Sequence, residues 1–242
     1  MFAKKLIPCL YLCKEKAVYG FHDRAHVLAS DPVSLAASYF QNGADAILVF
    51  DLSEGDNEHE RALDILKEIC FSVEIPVIGA GNVKRMEDIK KLLYAGCKMA
   101  ALNFSKEHSP DLAKEVSQKF GKEKIAVCIS DPGQYEKNAA IIHEWASSVI
   151  SIKEAVFTQP VKESKLPVIC VCDDPCIEKI VSLAKASSLS GISGLYYDNG
   201  CLNLIPLKRS MEENGIPVSK MEAHFSWKDL KKNSDGMVPV VV

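Results

Sequence analysis

Short apolar runs alternate with longer amphipathic stretches along most of the chain. Leu6 to Leu12, Ala46 to Asp51, Val77 to Gly79, Met99 to Asn103, Ile125 to Ser130, Ser148 to Ile152, Val168 to Cys172 and Ile192 to Tyr196 read as eight buried strands. The stretches between them carry apolar positions at helical spacing. Helix boundaries are marked in several places. Asp31-Pro32 offers an N-cap followed by proline at the first helical position, and Asn42-Gly43 closes that segment. Ser109-Pro110, the amphipathic Asp111 to Phe120 and then Gly121 repeat the device. Strands that are each followed by helical sequence predict a closed (β/α)8 barrel rather than an open doubly wound sheet. The interval Lys153 to Lys165 is short for a full helix, so the sixth unit departs most from the pattern.

One strand occurs twice. Ile75-Pro76-Val77-Ile78-Gly79-Ala80-Gly81-Asn82 returns as Leu166-Pro167-Val168-Ile169-Cys170-Val171-Cys172-Asp173, which predicts a barrel built from a duplicated half. The two copies end in different chemistry. Gly81, lacking a Cβ, lets backbone N–H groups approach an anion at the start of a helix, or simply permits a tight strand-to-helix turn. The second copy ends at Cys172, Asp173 and Asp174. A phosphate dianion about 5 Å from one carboxylate, at an effective dielectric near 20, is repelled by roughly 6 to 7 kcal/mol before screening. That exceeds what a helix terminus typically returns.

Composition narrows the partners. The chain has 242 residues, is 48% hydrophobic and carries a formal charge of −3, which suits one large core and gives no reason to expect nucleic acid or a membrane surface as partner. No apolar run reaches the length of a membrane span, and the proline-broken start Met1 to Pro8 is too short for a signal peptide. Nine cysteines, most of them in strand-like runs or at helix ends, read as small buried hydrophobes in a reducing compartment, so a cytoplasmic protein is expected. Cys170, Cys172 and Cys176 match no usual zinc spacing, and no metal or cofactor is expected in this chain.

In such a barrel the chemistry gathers where the strands end, which selects Tyr11, Asp51, Gly81, Asn103, Ser130, Asp131, Cys172, Asp173 and Tyr196. Ala3 to Leu10, Leu48-Val49-Phe50-Asp51, Ile78-Gly79-Ala80-Gly81 and Ala101-Leu102-Asn103 together resemble the cyclase subunit of imidazole glycerol phosphate synthase and the related ribotide isomerase of histidine biosynthesis. The resemblance covers residues 1–220. It implies a TIM barrel of the ribulose-phosphate-binding type, acting on a phosphorylated ribotide. It also implies phosphate contacts at Gly81, Asn82 and Asn103, and a glutaminase docked at the barrel bottom.

The same resemblance implies catalytic groups that this chain replaces. Tyr11 stands where an aspartate general acid/base is expected, Tyr19 where a basic residue is expected, and Ser130 where the second aspartate is expected, with Asp131 one residue out of phase. A one-residue offset on a strand turns a side chain to the other face, and a tyrosine with a pKa near 10 is a poor proton shuttle at neutral pH. Asp51 matches, either as a catalytic acid or as a strand-end cap. His22, His26, His59 and Arg24 read as solvated loop residues near the mouth, or as a basic clamp for a phosphorylated ligand.

After Lys220 the barrel pattern stops. Residues 225–242, with Trp227-Lys228-Asp229, Asn233-Ser234-Asp235-Gly236 and Pro239-Val240, are similar to the opening of phosphoribosyl-AMP cyclohydrolase. That resemblance implies a fusion in which residues 221–242 begin a second domain, with zinc and magnesium needed only there, and leaves room for a phosphoribosyl-ATP pyrophosphohydrolase beyond it. Two functions are then open. The barrel is a catalytically degenerate domain that supports downstream histidine-pathway enzymes or binds a phosphometabolite, or it is an active enzyme using Asp51 and Asp131 as an acid/base pair.

Overall fold

Strand β1 (Lys5–Cys13) is the hub of the sheet. It pairs in parallel with β4 (Ile47–Asp51) along Cys9 to Leu12 and with β10 (Leu189–Gly194) along Lys5 to Pro8. Between those two partners the sheet runs through β5 (Val77–Ala80), β6 (Met99–Asn103), β7 (Ile125–Ile129), β8 (Ser148–Ser151) and β9 (Val168–Val171), all parallel. The ring of eight parallel strands is therefore closed, and the barrel expected from the pattern is the fold. These features come from a computed structural model that describes residues 3–172, 175–196 and 204–219.

Helices α1 (Pro32–Gln41), α2 (Asp56–Ser72), α3 (Met86–Tyr94), α4 (Ser109–Phe120), α5 (Pro132–Trp145), α6 (Gln159–Lys162), α7 (Ile177–Ala184) and α8 (Leu204–Glu213) follow the ring strands in turn. The sixth is a single turn after a 3₁₀ segment at Glu154–Val156, as the short interval there implied. Strand alternation sorts the core into two layers. Ile7, Cys9, Tyr11, Leu48, Phe50, Ile78, Ala101, Cys128, Ile150 and Ile169 cluster inside the ring. Leu6, Leu10, Ile47, Val49, Val77, Leu102, Val127, Val149 and Val168 pack outward against the helices.

Two elements depart from the sequence reading. The last ring strand begins at Leu189 and ends at Gly194, several residues earlier than expected, because Tyr196 has already left the extended region with φ of 43°. A hairpin was not anticipated: β2 (Lys16–Val18) turns back on β1, and β3 (Val27–Ala29) pairs with β2. Its two-residue turn is Lys14-Glu15, with φ of 47° and 64°. Such turns usually announce themselves as Asn-Gly or Asp-Gly, and this one lacks the signal.

The end of the ring where the strands begin is tied by charge. Lys4, fully buried, donates its Nζ to the carbonyls of Ala186 and Leu189, next to the start of β10. Asp45 accepts from Leu6 N at 2.8 Å, from Lys208 Nζ at 2.8 Å and from Ser219 Oγ. Among the described residues no helix is long and apolar enough to cross a membrane. The cyclohydrolase-like residues 221–242 and the expected strand-end residues Asp173 and Asp174 lie outside the described residues.

Candidate functional site

Phe50 and Asp51 close β4 and, by alternation, face opposite ways. Phe50 belongs to the layer inside the ring, and Asp51 turns toward α2. There the Asp51 carboxylate, 10% exposed, is fully engaged. It accepts from Ser53 N at 2.9 Å, Ser53 Oγ, Asn82 Nδ2 at 3.0 Å and His59 Nδ1 at 2.5 Å. Burial pushes its pKa up, but the bonds from His59, Ser53 and Asn82 outweigh that and hold it below the ordinary value. His59 responds in the opposite sense. Its bond to Asp51 raises its pKa against the lowering effect of burial. In neutral His59 the ionised carboxylate keeps the proton on Nδ1, so Nε2 is a bare acceptor; in the protonated ring Nε2 is a donor.

The mouth of the ring is aromatic. Tyr11, buried, stacks on Phe50 with centroids 5.5 Å apart and planes within 10°. Phe21, from the segment between β2 and β3, meets Tyr11 edge-on at 5.0 Å and Phe50 at 4.9 Å. Neither phenylalanine was singled out from the sequence. Tyr19 is 43% exposed. Ser130 donates its backbone N–H to Gln134 Oε1 at 3.0 Å and also bonds that side chain through its hydroxyl.

Asp131 does not join Asp51. It is exposed and forms the N-cap of α5, accepting from Gly133 N at 2.8 Å ahead of Pro132 at the first helical position. Strand β7 ends at Ile129, so the residue that is out of phase serves the helix instead of a shared acid/base centre. Among the described residues the two carboxylates share no hydrogen-bond partner.

The structure gathers Gly81 and Asn82 around Asp51 and leaves Asn103 apart. Gly81 has φ of 89°, and a Cβ on it would come within 2.1 Å of the Asp51 carbonyl oxygen, so strand-end packing alone demands glycine. Asn82, itself at φ of 49°, spends its amide on Asp51 and on the Ser53 carbonyl. Asn103 is exposed at the end of β6, where its Oδ1 accepts from Ser105 N at 3.0 Å. The next amide, that of Phe104, goes to the Cys128 carbonyl at 3.0 Å. Across the ring, Cys172 donates its thiol to Glu154 Oε1 at 2.7 Å, and Lys179 reaches the same oxygen at 3.4 Å. No group of three or more metal-ligating side chains occurs among the described residues.

His59, read from the sequence as loop or early-helix and either solvated or part of a basic clamp, lies in the first turn of α2. It is only 15% exposed at the side chain. It shares a helical stripe with the buried Ala62, Leu63 and Leu66, spaced i, i+3, i+4 and i+7, a signal that places it on the covered face of α2. Its neighbourhood opens into a polar cavity of about 280 Å³ between the β4–α2 and β5–α3 loops, lined by Ser53, Glu54, His59, Asn82, Lys84 and Arg85 among others.

The profile of the family described as histidine biosynthesis protein matches residues 5–172. The chain is 34% identical over 138 residues to imidazole glycerol phosphate synthase subunit HisF of Staphylococcus carnosus, covering 57% of this chain and 54% of that protein. The subunits of the same name from Campylobacter concisus and Elusimicrobium minutum are each 34% identical, over 53% and 54% of this chain and 51% and 52% of theirs. The chain thus spans about half the length of the curated relatives it matches.

Proposed function

Because the chain belongs to the histidine biosynthesis protein family, we propose that it is a barrel of that pathway in which the scaffold persists without the acid–base chemistry, serving a structural or phosphometabolite-binding role beside histidine-pathway enzymes. The observation that carries this reading is the Tyr11–Phe50–Phe21 contact. The resemblance puts a proton-transferring carboxylate at Tyr11, and a phenol stacked in a buried aromatic group cannot replace it at neutral pH. The other two carboxylates are spoken for: Asp51 by four donors and Asp131 by its helix cap.

The test is a cyclase and isomerase assay of the purified chain, with ammonia supplied directly so that no glutaminase is needed. Turnover equal to a buffer control is expected. Turnover above that control, abolished by Asp51→Asn, would overturn the reading. A place ahead of a cyclohydrolase rests on the Trp227-Lys228-Asp229, Asn233-Ser234-Asp235-Gly236 and Pro239-Val240 signature, glutaminase docking on the resemblance, and a cytoplasmic location on the cysteine usage. Intact-mass measurement of the native protein checks the first, and co-purification with the glutaminase checks the second.

A further inference from the structure

His59 Nε2 is buried and has no hydrogen-bond partner among the described residues. Leaving such a group unpaired is costly, so a buried orphan calls for a partner. The ring that carries it lines the cavity between the β4–α2 and β5–α3 loops, and it cannot turn away because Nδ1 is fixed on Asp51 at 2.5 Å. We propose that this cavity, outside the barrel mouth, is a binding site for a small phosphoryl oxyanion held by His59, Lys84 and Arg85. The proposal does not depend on the reading above: it requires neither loss of turnover nor an anion at Asn103.

The sign of the ligand follows from which lining charges are already used. Glu54 pairs with Arg24 at 3.0 Å, and Glu60 pairs with Lys91. Asp88 accepts from the backbone N–H groups of Lys84 and Arg85 at 3.0 and 3.1 Å and from Arg85 Nε at 3.4 Å. Lys84 is left with no ion-pair partner among the described residues, and the Arg85 side chain is 76% exposed and engaged only through Nε. Helix α2, 17 residues long, begins after Gly55 with no side-chain cap, so its first-turn donors add to the positive character of that wall. Asp56 opposes an anion: it lines the cavity with no ion pair among the described residues. At about 280 Å³ the space lies just below the usual range for small-molecule pockets, roughly 300 to 1,000 Å³, which suits a phosphoryl group with a short substituent.

The protonation state of His59 sets the strength of the site. Asp51 from β4, Asp88 from α3 and Glu60 from its own helix favour the imidazolium, burial opposes it, and the net effect is a raised pKa. Lys84, Arg85 and Lys91 are the cations lining the same cavity. A bound anion adds a further partner for the protonated ring, so affinity should be higher below the His59 pKa and fall as pH rises through it.

Titration calorimetry of the chain at physiological ionic strength tests this, with inorganic phosphate and methyl phosphate as probes and sulfate for the pH series because its charge is constant there. Saturable binding is expected, with His59→Gln and Lys84→Met each weakening it about tenfold. Asp56→Asn should tighten it, and Asn103→Asp should leave it unchanged. Sulfate affinity should fall with rising pH in the parent chain and stay flat in His59→Gln. Tighter binding of methyl phosphate than of inorganic phosphate marks a phosphoester site, and the reverse marks a site for the free ion; both support the proposal. It is overturned if none of the three anions binds, if Lys84→Met and His59→Gln both bind like the parent, or if Asn103→Asp alone abolishes binding. Lys84 is exposed, so its variant keeps the test decisive should His59→Gln fail to fold.

Discussion

The alternation of Phe50 and Asp51 on one strand separates the two regions described above: one ring helps fill the mouth, and the next carboxylate anchors a helix. Tyr11→Asp would put the expected aspartate back and bury a carboxylate among Phe21 and Phe50. The lost ring packing and the desolvated charge together should cost about 2 to 4 kcal/mol, read as a lower urea midpoint, with no gain in turnover. The Asp51–His59 pair gives stability a definite pH dependence. His59, raised in the folded state, contributes stability that is fully present below its ordinary value of 6.5 and is lost as pH rises through the folded-state value. Asp51, lowered, contributes above 3.8 and loses that contribution as pH falls through its folded-state value. The advantage of the parent chain over His59→Gln should therefore be largest between those two ordinary values and shrink on the alkaline side, as urea unfolding across pH will show.

Elements were legible where their chemistry is periodic or local. The eight ring strands were read within a few residues, and Asp31-Pro32 does begin α1, with Asp31 Oδ1 accepting from Val33 N and Ser34 N at 3.0 and 3.1 Å. The hairpin after β1 was not legible, because three-residue strands carry no period and Lys14-Glu15 offers no glycine. Asp131 belongs at this scale as well. Its offset from the expected catalytic phase was visible in the sequence, but its engagement with α5 needed the end of β7 at Ile129. Asp131→Ala should cost about 1 kcal/mol by removing the cap, seen as a lower midpoint in thermal unfolding. The partnership of Asp51 with His59 was not read: the helical stripe with Ala62, Leu63 and Leu66 carried a signal that His59 is covered, but what covers it depends on how the β4–α2 loop folds back.

At the scale of the molecule, closure of the ring is the property that the duplicated strand and the count of eight foretold. Closure leaves β1 and β10 with partners on both sides, and Lys4 fastens the start of β1 to the backbone just ahead of β10. Hydrogen exchange should therefore find the amides of Ile7 and Ile192 as protected as those of the central strand β6, both exchanging only with global unfolding. Faster exchange at β1 or β10 would mean that the seam opens by itself.

The seam also sets a schedule for biosynthesis. Strand β1 leaves the ribosome first, and β10, which must flank its Lys5 to Pro8 half, leaves last among the ring strands. At about 5 to 20 residues per second the nascent strand waits on the order of ten to forty seconds for that neighbour. During the wait β2 can shield only Tyr11 to Cys13, while Leu6 and Ile7 remain available to any other unpaired strand nearby. The lysines at positions 4 and 5 are well placed to discourage such unions until translation delivers the proper mate.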